Sequence, residues 1–139
     1  MEQQEIFGPF FAMMLLTIVV WVYMYSKRIP FINSLGLEPH EITPAELSRR
    51  SPPSVSNPSD NLKNLFEVPI LFYALALYLF VTSTVDQVYV VAAWSYFVLR
   101  LLHSAVHCTV NIVMLRFVIY ALSSATLFFM IIKAALAHY

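Results

Sequence analysis

A set of ionisable side chains, Glu67, Arg100, His103, His107 and Arg116, interrupts stretches of sequence that are otherwise apolar enough for lipid. On insertion scales each such group costs roughly 2.5–3.5 kcal/mol at the centre of a bilayer, so these groups normally face the interior of a helix bundle and serve a function there. Their spacing is ordered. Tyr96, Arg100, His103 and His107 repeat as i, i+4, i+7, i+11, a single stripe on a helix. Asp60, Asn64 and Glu67 form a second stripe, and Arg116, Tyr120 and Ser123 a third. Three polar stripes at one depth describe a buried, hydrated site that could take an anion.

Other chemistry is open to the same residues. Glu67 and Arg100 could form a buried ion pair that fixes helix register. Arg100 and Arg116 could snorkel to lipid phosphates. His103 and His107, one helical turn apart, have a spacing that suits two imidazoles on one metal ion or a haem, with Glu67 as a further ligand. No HExxH pattern accompanies them.

The elements that position these groups follow from composition. Of 139 residues, 60% are hydrophobic and only 12% charged, about half the charged fraction of a soluble domain. The apolar residues come in long runs, which indicates a small integral membrane protein with room for a single domain spanning 1–139. The net charge of zero gives no reason to expect nucleic acid as a partner, and the single cysteine, Cys108, excludes an internal disulfide or a cysteine-based metal cluster. Glu2 and Glu5 give an acidic start, and the apolar run from Ile6 to Tyr25 is too long for a signal peptide core, so it reads as a retained first span.

A transmembrane helix needs about 20 mostly apolar residues. Ile6–Tyr25, Leu62–Thr82, Val88–His107 and Val113–Ala137 meet that requirement. The second and third are separated only by Ser83–Gln87, which makes them antiparallel neighbours. The third and fourth run almost together around Cys108–Ile112, through either a tight turn or one long bent helix. The long connection, Ser26–Asn61, contains Pro30, Pro39, Pro44, Pro52, Pro53 and Pro58, which exclude a long helix by the ordinary rule. Within it Thr43-Pro44-Ala45-Glu46 is a capping box with proline at the first helical position, predicting a short helix over Pro44–Arg50. Ser51–Asp60 reads as extended linker, with Ser59 or Asp60 capping the second span. Pro69 leaves the carbonyl of Leu65 without its helical partner.

Charge sets the expected orientation. Lys27, Arg28, Arg49, Arg50 and Lys63 lie on the side of the long connection and Arg116 returns to it, whereas the opposite side has Glu2, Glu5 and Asp86 with Lys133 as its basic residue. The positive-inside rule then puts the connection in the cytoplasm and both termini outside it. The expected fold class is an all-α membrane protein, a four-transmembrane-helix bundle with its polar stripes in the cytoplasmic third of the bilayer.

At this point the chain resembles the MAPEG family, membrane-associated proteins in eicosanoid and glutathione metabolism, over nearly its whole length. Several members carry Arg-x-x-His-x-x-x-Tyr in the third span, then an arginine nine residues after the tyrosine and a further tyrosine four beyond. This chain has Arg100-Leu-Leu-His103-Ser-Ala-Val-His107, then Arg116 and Tyr120 at that spacing. The family's second span opens with Arg/Asn-x-x-Glu and a nearby proline, here Lys63-Asn64-Leu65-Phe66-Glu67-Val68-Pro69.

The resemblance implies a divergent, bacterial-type member in the inner membrane, a homotrimer with glutathione held between subunits and open to the cytoplasm. It assigns Arg116 to stabilise the thiolate and Arg100 and Lys63 to the tripeptide carboxylates. Asn64 and Glu67 would hold the backbone amide or amine, with His103 and His107 in the same pocket, and Tyr120 would donate to a carboxylate or the thiol. The reaction class is a glutathione- or thiol-dependent transferase, isomerase or peroxidase acting on a lipophilic substrate that enters from the bilayer. Departures from the pattern are Asp60 in place of a basic residue, Leu65 in place of an aspartate, His107 in place of the tyrosine and Phe117 in place of a serine. These fit an alternative in which the pocket is non-catalytic and holds a membrane lipid or another anion. A transporter is disfavoured, since the spans show no internal repeat.

Overall fold

The computed structural model describes residues 2–139, and every regular element among them is helical. A 3₁₀ turn, Gln3–Ile6, leads into α1 (Phe7–Leu35); α2 (Pro44–Arg50), α3 (Pro53–Leu65), α4 (Pro69–Val81), α5 (Gln87–Cys108) and α6 (Val113–His138) follow. Four helical stretches, Gln3–Leu35, Pro53–Val81, Gln87–Cys108 and Val113–His138, are long and apolar enough to cross a membrane.

The prolines of the long connection do not act as the sequence suggests. Helix α1 runs through Pro30 and stops only at Gly36, which takes the left-handed conformation (φ 63°) that a glycine adopts freely after a helix end. Interior proline removes one hydrogen bond and bends a helix without having to end it. The expected linker Ser51–Asp60 is also largely helical. Helix α3 starts at Pro53, where the missing N–H has no helical partner to lose, and neither Ser59 nor Asp60 is its cap. Its apolar stripe, Val55, Pro58 and Leu65 together with Asn61, is buried, and α3 packs against α1. Burial of that stripe supplies what the polar local sequence does not.

Helix α2 has the bounds its capping signal predicts. The Thr43 hydroxyl accepts from the Glu46 amide at 3.2 Å. The box is not closed from the other side, because the Glu46 carboxylate accepts from Arg49 and Arg50 instead. The hydrogen bonds from Arg49 and then Arg50 hold its pKa down at about 2.

The second crossing is broken between α3 and α4. Pro69 cannot donate to Leu65, and the chain passes the gap through tighter i−3 bonds, Phe66 to Lys63 (3.0 Å), Glu67 to Asn64 (3.3 Å) and Ile70 to Glu67 (3.2 Å). The third and fourth crossings are separate helices. Asn111, at φ 46°, makes the reversal and its amide donates to the Val106 carbonyl at 2.7 Å.

The core joins Met13, Leu16 and Val20 of α1 to Phe72 and Leu79 of α4, Ala93 and Tyr96 of α5, and Leu127 and Met130 of α6. Phe72 and Tyr96 stack with centroids 4.9 Å apart. Helices α1 and α5 approach closely at Gly8, where a Cβ would lie 2.9 Å from the Trp94 ring. Large apolar side chains such as Leu15, Val19, Val81 and Leu136 face outward, as lipid-facing residues do.

Candidate functional site

The three polar stripes meet at the end of the bundle that carries the long connection. Helix α3 delivers Lys63 and Asn64 from its last turns, and the break before α4 delivers Glu67. The last turns of α5 bring His103 and His107, and the first turns of α6 bring Arg116 and Tyr120. These residues, with Asp60, Val113 and Phe117, line one open cavity of about 450 Å³. That is within the range of small-molecule sites.

A hydrogen bond sets the tautomer of His103. His103 Nδ1 lies 3.3 Å from the Arg116 carbonyl. A carbonyl only accepts, so Nδ1 carries the proton and Nε2 presents its lone pair. That Nε2 is buried and has no partner, as is His107 Nδ1. The His103 ring lies 5.7 Å from His107 and 5.7 Å from Tyr120, centroid to centroid. Among the described residues no group of three or more His, Cys, Asp or Glu is arranged to hold a metal ion.

Arg116 is held by a residue that the spacing argument did not single out. Its Nη1 donates to Asn111 Oδ1 at 2.6 Å, which ties the guanidinium to the α5–α6 turn. The signal available was the shortness of that turn, since asparagine is among the few non-glycine residues that accept positive φ. Asn61 also went unremarked. It is fully buried behind the cavity, accepts from Ser104 at 3.3 Å and donates to the Cys108 sulfur at 3.5 Å, fastening α3 to α5.

Arg100 departs from expectation. It is 1% exposed and lies behind the cavity wall, its guanidinium carbon 5.7 Å from the Tyr120 ring centroid. The register-fixing pair with Glu67 does not form: Glu67 is exposed and, among the described residues, makes no ion pair. Nε and both Nη atoms of Arg100 are buried without a hydrogen-bond partner among the described residues. A buried cation without a counter-charge costs several kcal/mol.

The site therefore gathers two arginines, Arg100 and Arg116, that no carboxylate among the described residues pairs with, together with two imidazoles that line the cavity. Such a set can bind an anion, stabilise a developing negative charge and accept a proton. The MAPEG family model matches residues 6–136 of the chain. No curated protein and no solved structure matches it.

Proposed function

The chain belongs to the MAPEG family and is an integral, multi-pass membrane protein, and on that premise we propose that it is a glutathione- or thiol-dependent enzyme, a transferase, isomerase or peroxidase, acting on a lipophilic substrate. The observation that carries the proposal is the cavity bounded by Lys63, His103, His107, Arg116 and Tyr120, where Arg116 has no carboxylate partner among the described residues and one nitrogen of each imidazole has no hydrogen-bond partner there. An anionic, hydrogen-bonding tripeptide supplies the groups that these residues lack, and when bound it supplies a thiol nucleophile.

Arg116 has the central role in this reading. A thiol with an unperturbed pKa of about 8.5 is mostly protonated at neutral pH, and a cation at hydrogen-bond distance favours the thiolate. The hold of Asn111 on Nη1 leaves the other guanidinium nitrogens for the sulfur. The His103 lone pair and the Tyr120 hydroxyl are available to take or steady the proton. Lys63 at the rim pairs with a carboxylate, and Asn64 and Glu67 hold the amide or amine. Arg100 adds positive potential from behind the wall, where a low dielectric lengthens its reach.

In this reading the lipophilic substrate enters from the bilayer between helices, near the exposed Phe117. The site is shared between subunits of a homotrimer, with the long connection in the cytoplasm of a bacterial cell and both termini outside. Asp60, an acidic group on the cavity wall, favours a second reading in which the pocket is non-catalytic and holds a lipid or another anion. Titration of the purified protein with glutathione, following thiolate absorbance near neutral pH, tests the proposal. Saturable thiolate formation that disappears in Arg116→Ala is expected. No signal in the wild type, or the same signal in Arg116→Ala, removes the thiol-activation reading, and a co-purifying lipid without turnover then favours the second one.

A further inference from the structure

A second cavity, of about 460 Å³, lies between the far end of α1, helix α2 and the start of α3. The activity proposed above makes no use of it. Its walls divide by polarity. Met24, Leu47, Val55 and Leu62 are apolar, and Trp21, 52% exposed, stands at one edge. The polar lining comprises Arg28, the Asp60–Lys63 pair and serine hydroxyls that include Ser48, Ser56 and Ser59.

Arg28 is only partly satisfied. Its Nη2 donates to Ser59 Oγ at 2.7 Å, and its Nε is buried without a partner. Among the described residues no carboxylate pairs with it. Asp60 also lines the cavity but is paired with Lys63 at 3.5 Å. A guanidinium with an unpartnered N–H beside several hydroxyls is suited to an oxyanion bearing more than one acceptor oxygen, and phosphate is the common case.

Geometry narrows the source of that phosphate. Trp21 and Arg28 are two turns apart on α1, which at 1.5 Å per residue is about 10 Å along the axis. Trp21 packs edge-on against Tyr25 with centroids 4.7 Å apart, the amphipathic pair found where headgroups meet acyl chains. A small soluble anion would leave the apolar half of the cavity bare. A phosphate joined to a glycerol and acyl chains would cover both halves.

We propose that this cavity binds the headgroup end of an anionic phospholipid, with Arg28 and Ser59 on the phosphate and Trp21 and Met24 against the glycerol and upper acyl chain. Bound lipid would fasten α2 to the bundle beside α3. Asp60 and Lys63 border both cavities, but the phosphate site rests on Arg28 and stands or falls without the thiol reading.

Trp21 provides the reporter. The full chain carrying Trp94→Phe, which leaves Trp21 as its tryptophan, is titrated in neutral detergent micelles with brominated phosphatidylglycerol. Saturable quenching is expected, weakened about tenfold by Arg28→Gln, the loss of one charge-assisted contact. Ser59→Ala, which keeps the charge and is the milder change to packing, is expected to weaken it about threefold. Gel filtration and thermal unfolding establish that each variant is folded. Displacement of the quenching by millimolar inorganic phosphate would mean that the phosphate group suffices as ligand, and its persistence would mean that the lipid as a whole is required. Non-saturable quenching, or equal saturable quenching in wild type and folded Arg28→Gln, would overturn the proposal.

Discussion

The two ends of this bundle handle charge in opposite ways. At the end opposite the long connection Lys133 donates to the Asp86 carboxylate and lies 3.8 Å above the Tyr89 ring, and the same carboxylate accepts from the Tyr89 amide at 2.9 Å to cap α5. One small cluster thereby joins the α4–α5 turn to α6, with both charges matched. At the connection end Arg100 has no hydrogen-bond partner among the described residues, Arg116 is held only by a neutral amide oxygen, and one nitrogen of each of two imidazoles lining the cavity is left unpartnered. A saturated cluster needs nothing more and serves the fold. An unsaturated one lowers the stability of the fold, and it becomes favourable when something binds.

The largest effect that should separate the two ends is on turnover. Arg116→Ala is expected to lower the rate with a lipophilic electrophile on the order of 10²–10³-fold, the usual consequence of losing one stabiliser of developing charge. Asp86→Ala should leave that rate within about twofold, since it only indirectly affects the reacting groups. Steady-state kinetics of the two variants side by side would make the contrast quantitative, and equal losses would erase it.

Stability should show the reverse order. Asp86→Ala removes a helix cap, worth about 1 kcal/mol. It also removes an ion pair whose side chains are 31% and 46% exposed, so the pair adds only a fraction of that. Unfolding in mixed micelles should therefore detect a loss of roughly 1–1.5 kcal/mol for Asp86→Ala.

A smaller effect follows from pH. Partial burial pushes the Asp86 carboxyl up, but the bonds from Lys133 and from the Tyr89 amide outweigh it, and its folded pKa lies below the ordinary 3.8. A depressed carboxylate contributes stability that is present above its unfolded pKa and lost as pH falls through the folded value. The stability gap between wild type and Asp86→Ala should thus hold from pH 7 to about 5 and narrow below about 4, which unfolding midpoints at each pH would reveal.

The difference between the ends was partly legible in the sequence. The four crossings, the helix over Pro44–Arg50 and the stripes meeting at one depth follow from run length, a capping signal and helical periodicity. The helical state of Pro53–Asp60 was hidden, because its prolines and serines argue locally for linker while burial of Val55 and Pro58 against α1 decides the outcome. The retreat of Arg100 behind Tyr120 and the grip of Asn111 on Arg116 were hidden too. Spacing places a residue on a face, and only packing and turn geometry decide how deep its side chain goes and what it reaches.

The central claim is that the unsaturated end is a ligand site and the saturated end is not. Its most direct test is the shift in thermal unfolding midpoint on adding glutathione, measured in parallel for wild type, Arg116→Gln and Asp86→Asn. A ligand that binds only the folded state raises the midpoint, and the more so the tighter it binds. A clear rise is expected in wild type, the same rise in Asp86→Asn from a lower starting point, and a rise that is lost or much reduced in Arg116→Gln. No rise in wild type, or an equal rise in Arg116→Gln, would overturn the claim.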